Sequence, residues 1–434
     1  MNNRKKKWFE TCGRKLDPGL VEQLHNKAKV KLEETGDEGI PVIVYLNRQS
    51  ELDSKHDFVQ TCHAEANNII DNELGLDDTL SGQLTPKMIK KMKDHGAVDR
   101  IFYDRKVTAL LDVATLGIGA KHVQEELGLT GKGVTVAVID TGIFPHEDLT
   151  TPDNRIVAFK DFVQDQTEAY DDNGHGTHCA GDVAGNGHQS NGEYIGPAPE
   201  TSLIGVKVLD QDGSGRLSTI MKGIAWCINH KKEYDIRVIS LSLGAEAFES
   251  YRDDPLAQAA EKAWHHGIVV CAAAGNDGPS RQTISTPAID PFIITVGSAD
   301  DQNTPTRSDD SIADYSSRGP TIDSLVKPDI YSPGTNIISL LAPDSTLAEQ
   351  MPGKIVGEHY LELSGTSMAT PICAGVVALM LEVNPDLSPN DVKSILQTTA
   401  PATLDDLWGY IDAKSAVAMA KEYAEHQLAV SEVQ

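Results

Sequence analysis

The sequence predicts an α/β protein, a parallel sheet with helices on both faces, preceded by a small α+β unit. Beyond residue 107, Val/Ile/Leu-rich runs alternate with stretches of helical spacing, the pattern of strands buried on both faces by crossover helices. Residues 40–106 mix one β-branched run with helical segments and a closing strand. The length of 434 residues, 40% apolar, suits one large domain with a sizeable core and one small domain.

Taken in order, residues 1–38 are polar and charged and form an extension with one short helix around 19–34. Residues 39–107 form the small unit. IPVIVYL at 40–46 reads as a strand, and 51–70 as a helix with Phe58, Val59, Cys62, Ala66 and Ile69 near helical spacing. Thr85-Pro86 opens a second helix, Gly96 ends it, and 98–107 closes the unit as a strand. Residues 108–120 read as a linker and 121–425 as the large domain. There, strands at 134–140, 201–210, 236–244, 267–276 and 292–300 alternate with helices such as 218–231 and 253–267. Residues 420–434 look like a fraying helix end, with 426–434 as a tail. There is no internal repeat or low-complexity tract.

The net charge is −26, and residues 1–106 hold 18 basic and 18 acidic residues, so the whole excess lies beyond them. That balance excludes nucleic acid as a partner, because phosphate binding needs a basic face. No apolar run of about 18 residues is evident, so no membrane partner is expected. The basic start MNNRKKKWFE is not followed by the apolar stretch of roughly 7–15 residues that a secretory signal needs. The expectation is a cytoplasmic protein. Its six cysteines, without a CxxC pair, are then free thiols, most of them in apolar surroundings.

Three segments carry candidate chemistry. VTVAVIDTGI delivers Asp140 to the end of a buried strand, where a carboxylate is costly unless paired. DDNGHGTHCAG sets His175 between glycines at the start of an apolar helix, with His178 three residues on. That pair alone could suggest zinc, but a third ligand and an HExxH pattern are missing. LSGTSMATPICAG places Ser367 in the first turn of another apolar helix, where backbone N–H groups favour negative charge. Each segment alone has a bland reading as a cap or turn. Together they supply a hydroxyl nucleophile, a base with a pKa near neutrality, and a carboxylate to orient the base. The chain order Asp, His, Ser is that of subtilisin.

VAVIDTGI, DNGHGTHCAG and SGTSMATPICAG resemble the three signature blocks of subtilisin-like serine proteases, in particular the intracellular type. VKVLDQDGSGRLS, VISLSLG, AAAGNDG and KPDIYSPGTNIIS resemble other family segments, so the likeness extends over about 110–420. It implies a subtilisin-like fold and a serine endopeptidase with Asp140, His175 and Ser367 as its triad. Asn276 would be the oxyanion donor. Gly213, Ser214, Gly215, Ser242, Leu243 and Gly244 would clamp an extended peptide, and Ala273, Ala274 and Gly275 would help line the pocket for the residue before the cut bond. No committed charge lies in that pocket, so a broad apolar or aromatic preference is expected. Residues 39–107 resemble an inhibitory pro-domain, an intramolecular partner released by self-cleavage within 108–120.

Protein and peptide substrates are the implied partners, and no cofactor is required for the chemistry. Structural calcium is an open expectation. Asp148 matches a family ligand position, and Asp161, Asp165, Asp171 and Asp172 offer hard oxygens. Asp172 could also favour basic substrate residues. A non-catalytic peptide-binding relative is disfavoured by the intact set Asp140, His175, Ser367 and Asn276. An esterase is disfavoured by the lack of GxSxG around Ser367.

Overall fold

The computed structural model describes residues 39–47, 52–65, 67–73, 79–103, 111–400 and 409–431, with a few positions between 7 and 27. Most of the expected N-terminal extension and the residues 104–110 lie outside the described residues. The chain divides into two compact units, Met1–Val107 and Thr108–Gln434.

In the first unit, β1 (Ile40–Leu46), β2 (Ile69–Glu73), β3 (Thr79–Leu84) and β4 (Val98–Tyr103) form an antiparallel sheet in the order β2-β3-β1-β4. Strand alternation explains β1: Ile40, Val42, Val44 and Leu46 are buried and Tyr45 is exposed. Phe58 and Cys62 from helix Leu52–His63, with Met88, Ile89 and Met92 from helix Pro86–Met92, complete the core. Thr85 caps the second helix, its hydroxyl accepting the Met88 N–H at 3.2 Å. The helix expected over 51–70 stops at His63. Asn67 turns left-handed, at φ 65°, and the Asn68 side chain accepts the Thr85 N–H at 2.8 Å, so two asparagines break the helix before β2. The polar strands IIDNE and TLSGQL gave no sequence signal, because pairing makes them strands, β3 onto β1 and β2 onto β3.

The second unit is built on β5 (Thr135–Asp140), β6 (Ile156–Asp161), β7 (Ser202–Lys207), β8 (Ile236–Leu241), β9 (Val269–Ala273) and β10 (Ile294–Asp300), parallel in the order β10-β9-β8-β5-β7-β6. On β10, β11 (Ser311–Ile312) adds antiparallel and β12 (Ile330–Pro333) parallel. β13 (Ile337–Leu340), β14 (Ile355–Val356) and β15 (Tyr360–Leu363) form a separate sheet. Every residue of β5 is buried, as expected of a strand covered on both faces. Helices Leu217–Tyr234 and Pro255–His265 pack on each other and on β8 and β9, and helices His175–Ala184 and Thr366–Val383 form another packed pair. The strand order reverses around β5, which leaves a crevice at its carboxyl end. Asp140 stands there.

Three expectations need correction. The linker expected over 108–120 is helical over Leu111–Gly117, and Ala114, Ile118 and Ala120 join the large core. Their apolar faces dock rather than cross a cleft. The tail expected at 426–434 is partly helix, since Ala413–Ser431 is continuous. Among the described residues one helix, Thr366–Val383, is long and apolar enough to cross a membrane, although no such run was expected; 83% of it is buried inside the protein. As the central helix of the core it is apolar on every side.

Candidate active site

The site begins where β5 ends. Asp140 is fully buried, and its Oδ1 accepts the Thr141 N–H and a hydrogen bond from His175 Nδ1, both at 2.7 Å. This fixes the imidazole's orientation and assigns its proton to Nδ1, leaving Nε2 as the basic atom. The other Asp140 oxygen has no partner. The Thr141 hydroxyl donates to Asp171 at 2.9 Å and accepts the Gly176 N–H at 2.8 Å. Asp171 also accepts the Gly174 and Thr177 N–H groups, each at 2.8 Å, and so gathers the start of helix His175–Ala184. A Cβ on Gly176 would fall 2.2 Å from the Gly142 carbonyl oxygen and 3.1 Å from Asp140 Cβ. Glycine is what lets this helix touch the turn after β5.

Burial lowers the affinity of His175 for a proton, but the Asp140 carboxylate outweighs it and holds the imidazole above its ordinary pKa. Cys179, one helical turn on, lies with its sulfur 3.8 Å from His175 Nδ1. Burial pushes its thiol up to about 11, so it stays protonated near neutrality. Asp140, His175 and Cys179 present ligand atoms within 4.8 Å of one another, a set that could hold a thiophilic metal only by disrupting the Asp140–His175 pair.

Ser367 is in the first turn of helix Thr366–Val383. Its hydroxyl donates to the Ser242 carbonyl at 3.1 Å, so a bond to His175 requires another rotamer. Pro371, four residues on, has no N–H for the Ser367 carbonyl. That carbonyl instead accepts the Ser242 hydroxyl at 2.8 Å and the Cys179 thiol at 3.5 Å. Asn276 is exposed, and its Oδ1 accepts the Thr366 N–H at 2.9 Å and hydroxyl at 3.0 Å. Both bonds leave Nδ2 as a donor. A Cβ on Gly365 would lie 3.5 Å from Asn276 Nδ2 and 3.6 Å from Ser367 N. The missing side chain thus leaves space beside two N–H donors, the arrangement an oxyanion needs.

A cleft of about 500 Å³ opens beside His175, lined by Gly213, Ser214 and Gly215 on one wall and Ser242, Leu243 and Gly244 on another. Leu209, Leu217, Ile220 and Leu347 add apolar surface. Ala273 and Ala274 are buried at the end of β9 and are not among the residues that line this cleft. The Ala274 methyl group packs into the core. Gly275 is half-buried, and its N–H reaches the Thr366 hydroxyl at 3.3 Å.

The calcium expectations meet donors rather than free oxygens. Asp148 is buried, with one oxygen accepting the Gln189 N–H and the other the Tyr360 hydroxyl, both at 2.9 Å. The His146 ring stands 3.6 Å from it. This set does not fit calcium, which takes six to eight oxygen ligands. Asp161 accepts three backbone N–H groups and the Tyr170 hydroxyl. Burial raises its pKa, but those bonds win and hold it low. Asp165 pairs with Lys160 at 2.9 Å, and Asp172 with the buried Lys207 at 2.5 Å. These acids are dispersed onto separate partners, and Lys207 offsets the charge with which Asp172 was to attract basic substrates.

His178 does not join His175. Fully buried, it bonds Asp182 at 3.0 Å and the Leu361 carbonyl at 2.9 Å. Cys179 and Lys207 were missed as parts of the site. The signals existed: Cys179 is four residues after His175 on a helix, hence on the same face, and Lys207 is a lone charge in an apolar strand. The second hydrogen bond of Ser242 needed the fold.

A profile of the subtilase family matches residues 131–421. The chain is 46% identical over 371 residues to serine protease AprX of Bacillus subtilis strain 168, covering 84% of this chain and 79% of that one. With subtilisin E of the same organism it shares 34% over 325 residues, 73% and 74% of the two chains. Among solved structures, sphericase aligns with a TM-score of 0.54 at 30% identity, over 68% of this chain and 94% of that one. A cold adapted subtilisin-like serine proteinase aligns at 0.51 and 31%, over 65% and 88%. The chain belongs to the subtilase family and is a serine protease with the subtilisin-like fold.

Proposed function

We propose that the protein is an endopeptidase that cleaves protein and peptide substrates through an acyl-enzyme on Ser367. The observation that carries this reading is the 2.7 Å bond between His175 Nδ1 and Asp140 at the foot of the cleft, beside the helix start that bears Ser367. His175 Nε2 takes the Ser367 proton as the hydroxyl oxygen attacks the scissile carbonyl. Asn276 Nδ2 and the Ser367 N–H hold the oxyanion. His175 then protonates the leaving amine, and water releases the acyl group. Gly213–Gly215 and Ser242–Gly244 flank the substrate backbone, and the leucine-rich lining supports a broad apolar preference.

The chain acts as a self-inhibited precursor, with 39–107 as the inhibitory unit. Cleavage falls before Ala114, because the residues after it are helical and packed in the core. Work inside the cell is supported by five described cysteines that are all unpaired. The full chain and Ser367→Ala, compared by intact mass and casein digestion over hours, test this reading. Shortening and digestion by the parent alone are expected; digestion by both chains removes Ser367 from its role.

A further inference from the structure

We propose that Leu347 is a specificity-determining residue, a wall of the subsite that takes the second residue before the cut bond, and that it selects a branched aliphatic side chain there. The inference rests on the endopeptidase reading and adds a residue brought to the cleft by a loop far along the chain. That loop, 345–351, is seated on the turn that carries His175. The Thr346 and Leu347 N–H groups donate to the Asp172 and Asn173 carbonyls, each at 3.0 Å. Ser345 is fully buried, and its hydroxyl accepts the Ala348 N–H at 3.3 Å in the short helix Thr346–Gln350. Gly174 makes room for the loop: a Cβ there would fall 2.7 Å from Ser345 Oγ and 3.7 Å from Leu347 Cβ. Two successive backbone bonds thus hold Leu347 next to the turn before His175, and its half-buried side chain lines the cleft.

The neighbouring walls are set by the same turn. Asn173 is buried; its Oδ1 accepts the His175 N–H at 3.2 Å and its Nδ2 donates to the Gln211 carbonyl at 2.9 Å. A Cβ on Gly213 would stand 3.4 Å from that Nδ2. Leu209 is held on the catalytic strand, its N–H donating to the Asp140 carbonyl at 3.2 Å. Leu209 and Leu347 are therefore the two apolar side chains of the cleft tied by backbone bonds to the Asp140–His175 pair and its turn. The residue before the cut bond enters a different slot, where Gly244 and Gly275 converge on Ser285: a Cβ on the first would fall 3.0 Å from Ser285 Cβ, and on the second 2.3 Å from Ser285 Oγ. Successive side chains of an extended peptide point to opposite faces. The second residue before the bond thus turns out of that slot, toward His175, Leu209 and Leu347. Charge there is low. Asp172 is paired with Lys207 at 2.5 Å. Asp212, the one carboxylate lining the cleft among the described residues, is exposed to screening by water.

The test measures kcat/KM for enzyme made as the full chain, on succinylated tetrapeptide p-nitroanilides of sequence Ala-Ala-X-Phe with X as Gly, Leu or Arg. These substrates carry no amino acid beyond the cut bond, so an effect of X belongs to the side before it. The parent should prefer Leu to Gly by about 30-fold, within the range for filling a hydrophobic pocket. Leu347→Ala should reduce that ratio by about tenfold. Leu347→Met should keep it, because the volume is conserved, and Leu347→Glu should put Arg ahead of Leu. An unchanged ratio of Leu to Gly in Leu347→Ala overturns the proposal, as does a loss shared equally by all three peptides, which would assign Leu347 to holding the loop in place. A parent that digests casein without discriminating among the peptides overturns this proposal alone; a parent that digests neither overturns the endopeptidase reading with it. If Leu347→Ala does not fold, the parent's order of Leu over Arg in Leu347→Glu overturns the proposal equally.

Discussion

At the scale of single residues, the site depends on how each polar atom is partnered. Asp140 combines full burial with a 2.7 Å bond to His175, and its field raises the imidazole pKa against the burial that lowers it. Replacing it with Asn removes the charge and keeps the burial, so the pKa of His175 falls. Because the reaction needs neutral His175, activity is lost as pH drops through that pKa. The acid limb of kcat/KM for Asp140→Asn should therefore move to lower pH, while kcat falls by about 10⁴, the magnitude known for that change in a serine protease triad. A limb that stays in place would show that Asp140 does not set the pKa of His175. Most of this was legible in the sequence: Asp140, His175, Ser367 and Asn276 were all named from their segments. The Ser242 bond to the Ser367 carbonyl was not, because it joins segments far apart in sequence; Cys179, one helical turn from His175, was missed although its spacing signalled it.

At the scale of elements, the site is a meeting of strand ends and helix starts. Helix His175–Ala184 can approach β5 only because Gly176 lacks a side chain; an added Cβ would fall 2.2 Å from a backbone oxygen, which no rotamer change relieves. Gly176→Ala should cost about 1–3 kcal/mol of stability from overpacking. It should also reduce kcat, since the shift displaces His175 from Asp140. Denaturant melts and kinetics measured together check this, and full activity in a destabilised variant would separate packing from positioning. Glu382 ties the far end of helix Thr366–Val383 to the entry of β5, accepting the Thr130 and Gly131 N–H groups at 2.7 and 2.6 Å. The helix that carries Ser367 and the strand that carries Asp140 are thus fixed at both ends. The strands and helices of the large unit were read well because their patterns are long and apolar. The short polar strands β2 and β3 were missed because their own residues carry little preference.

At the scale of the whole molecule, buried charge is managed by internal pairs in a chain of net charge −26. Lys327 and Lys393 converge on Asp329 at 2.6 and 3.0 Å, and both ammonium groups also donate to the Ile293 carbonyl. Lys327 is 5% exposed, and burial lowers its pKa to about 8, with Asp329 opposing. Removing that carboxylate leaves two ammonium groups facing each other. Asp329→Asn should destabilise the protein by about 3 kcal/mol or more, seen as a lower denaturation midpoint with an unchanged slope. A loss below about 0.5 kcal/mol would mean that the two lysines, rather than the pair, hold this corner.

The sequence by itself determined the parallel α/β architecture, the family and the residues of the candidate site, because periodicity and local motifs are properties of contiguous residues. It also placed most of the cleft, since Gly213–Gly215 and Ser242–Gly244 lie within recognisable segments. Only the tertiary structure decided which acids are free. Asp148, Asp161 and Asp172 look like ligands in one dimension, yet each is met by a donor from elsewhere, Tyr360 or Lys207 among them. Asp301 and Asp310 lie in an acidic stretch of the sequence, yet the fold buries both. The protonation and affinity of a carboxylate depend on what surrounds it in space, and folding brings those surroundings from distant parts of the chain.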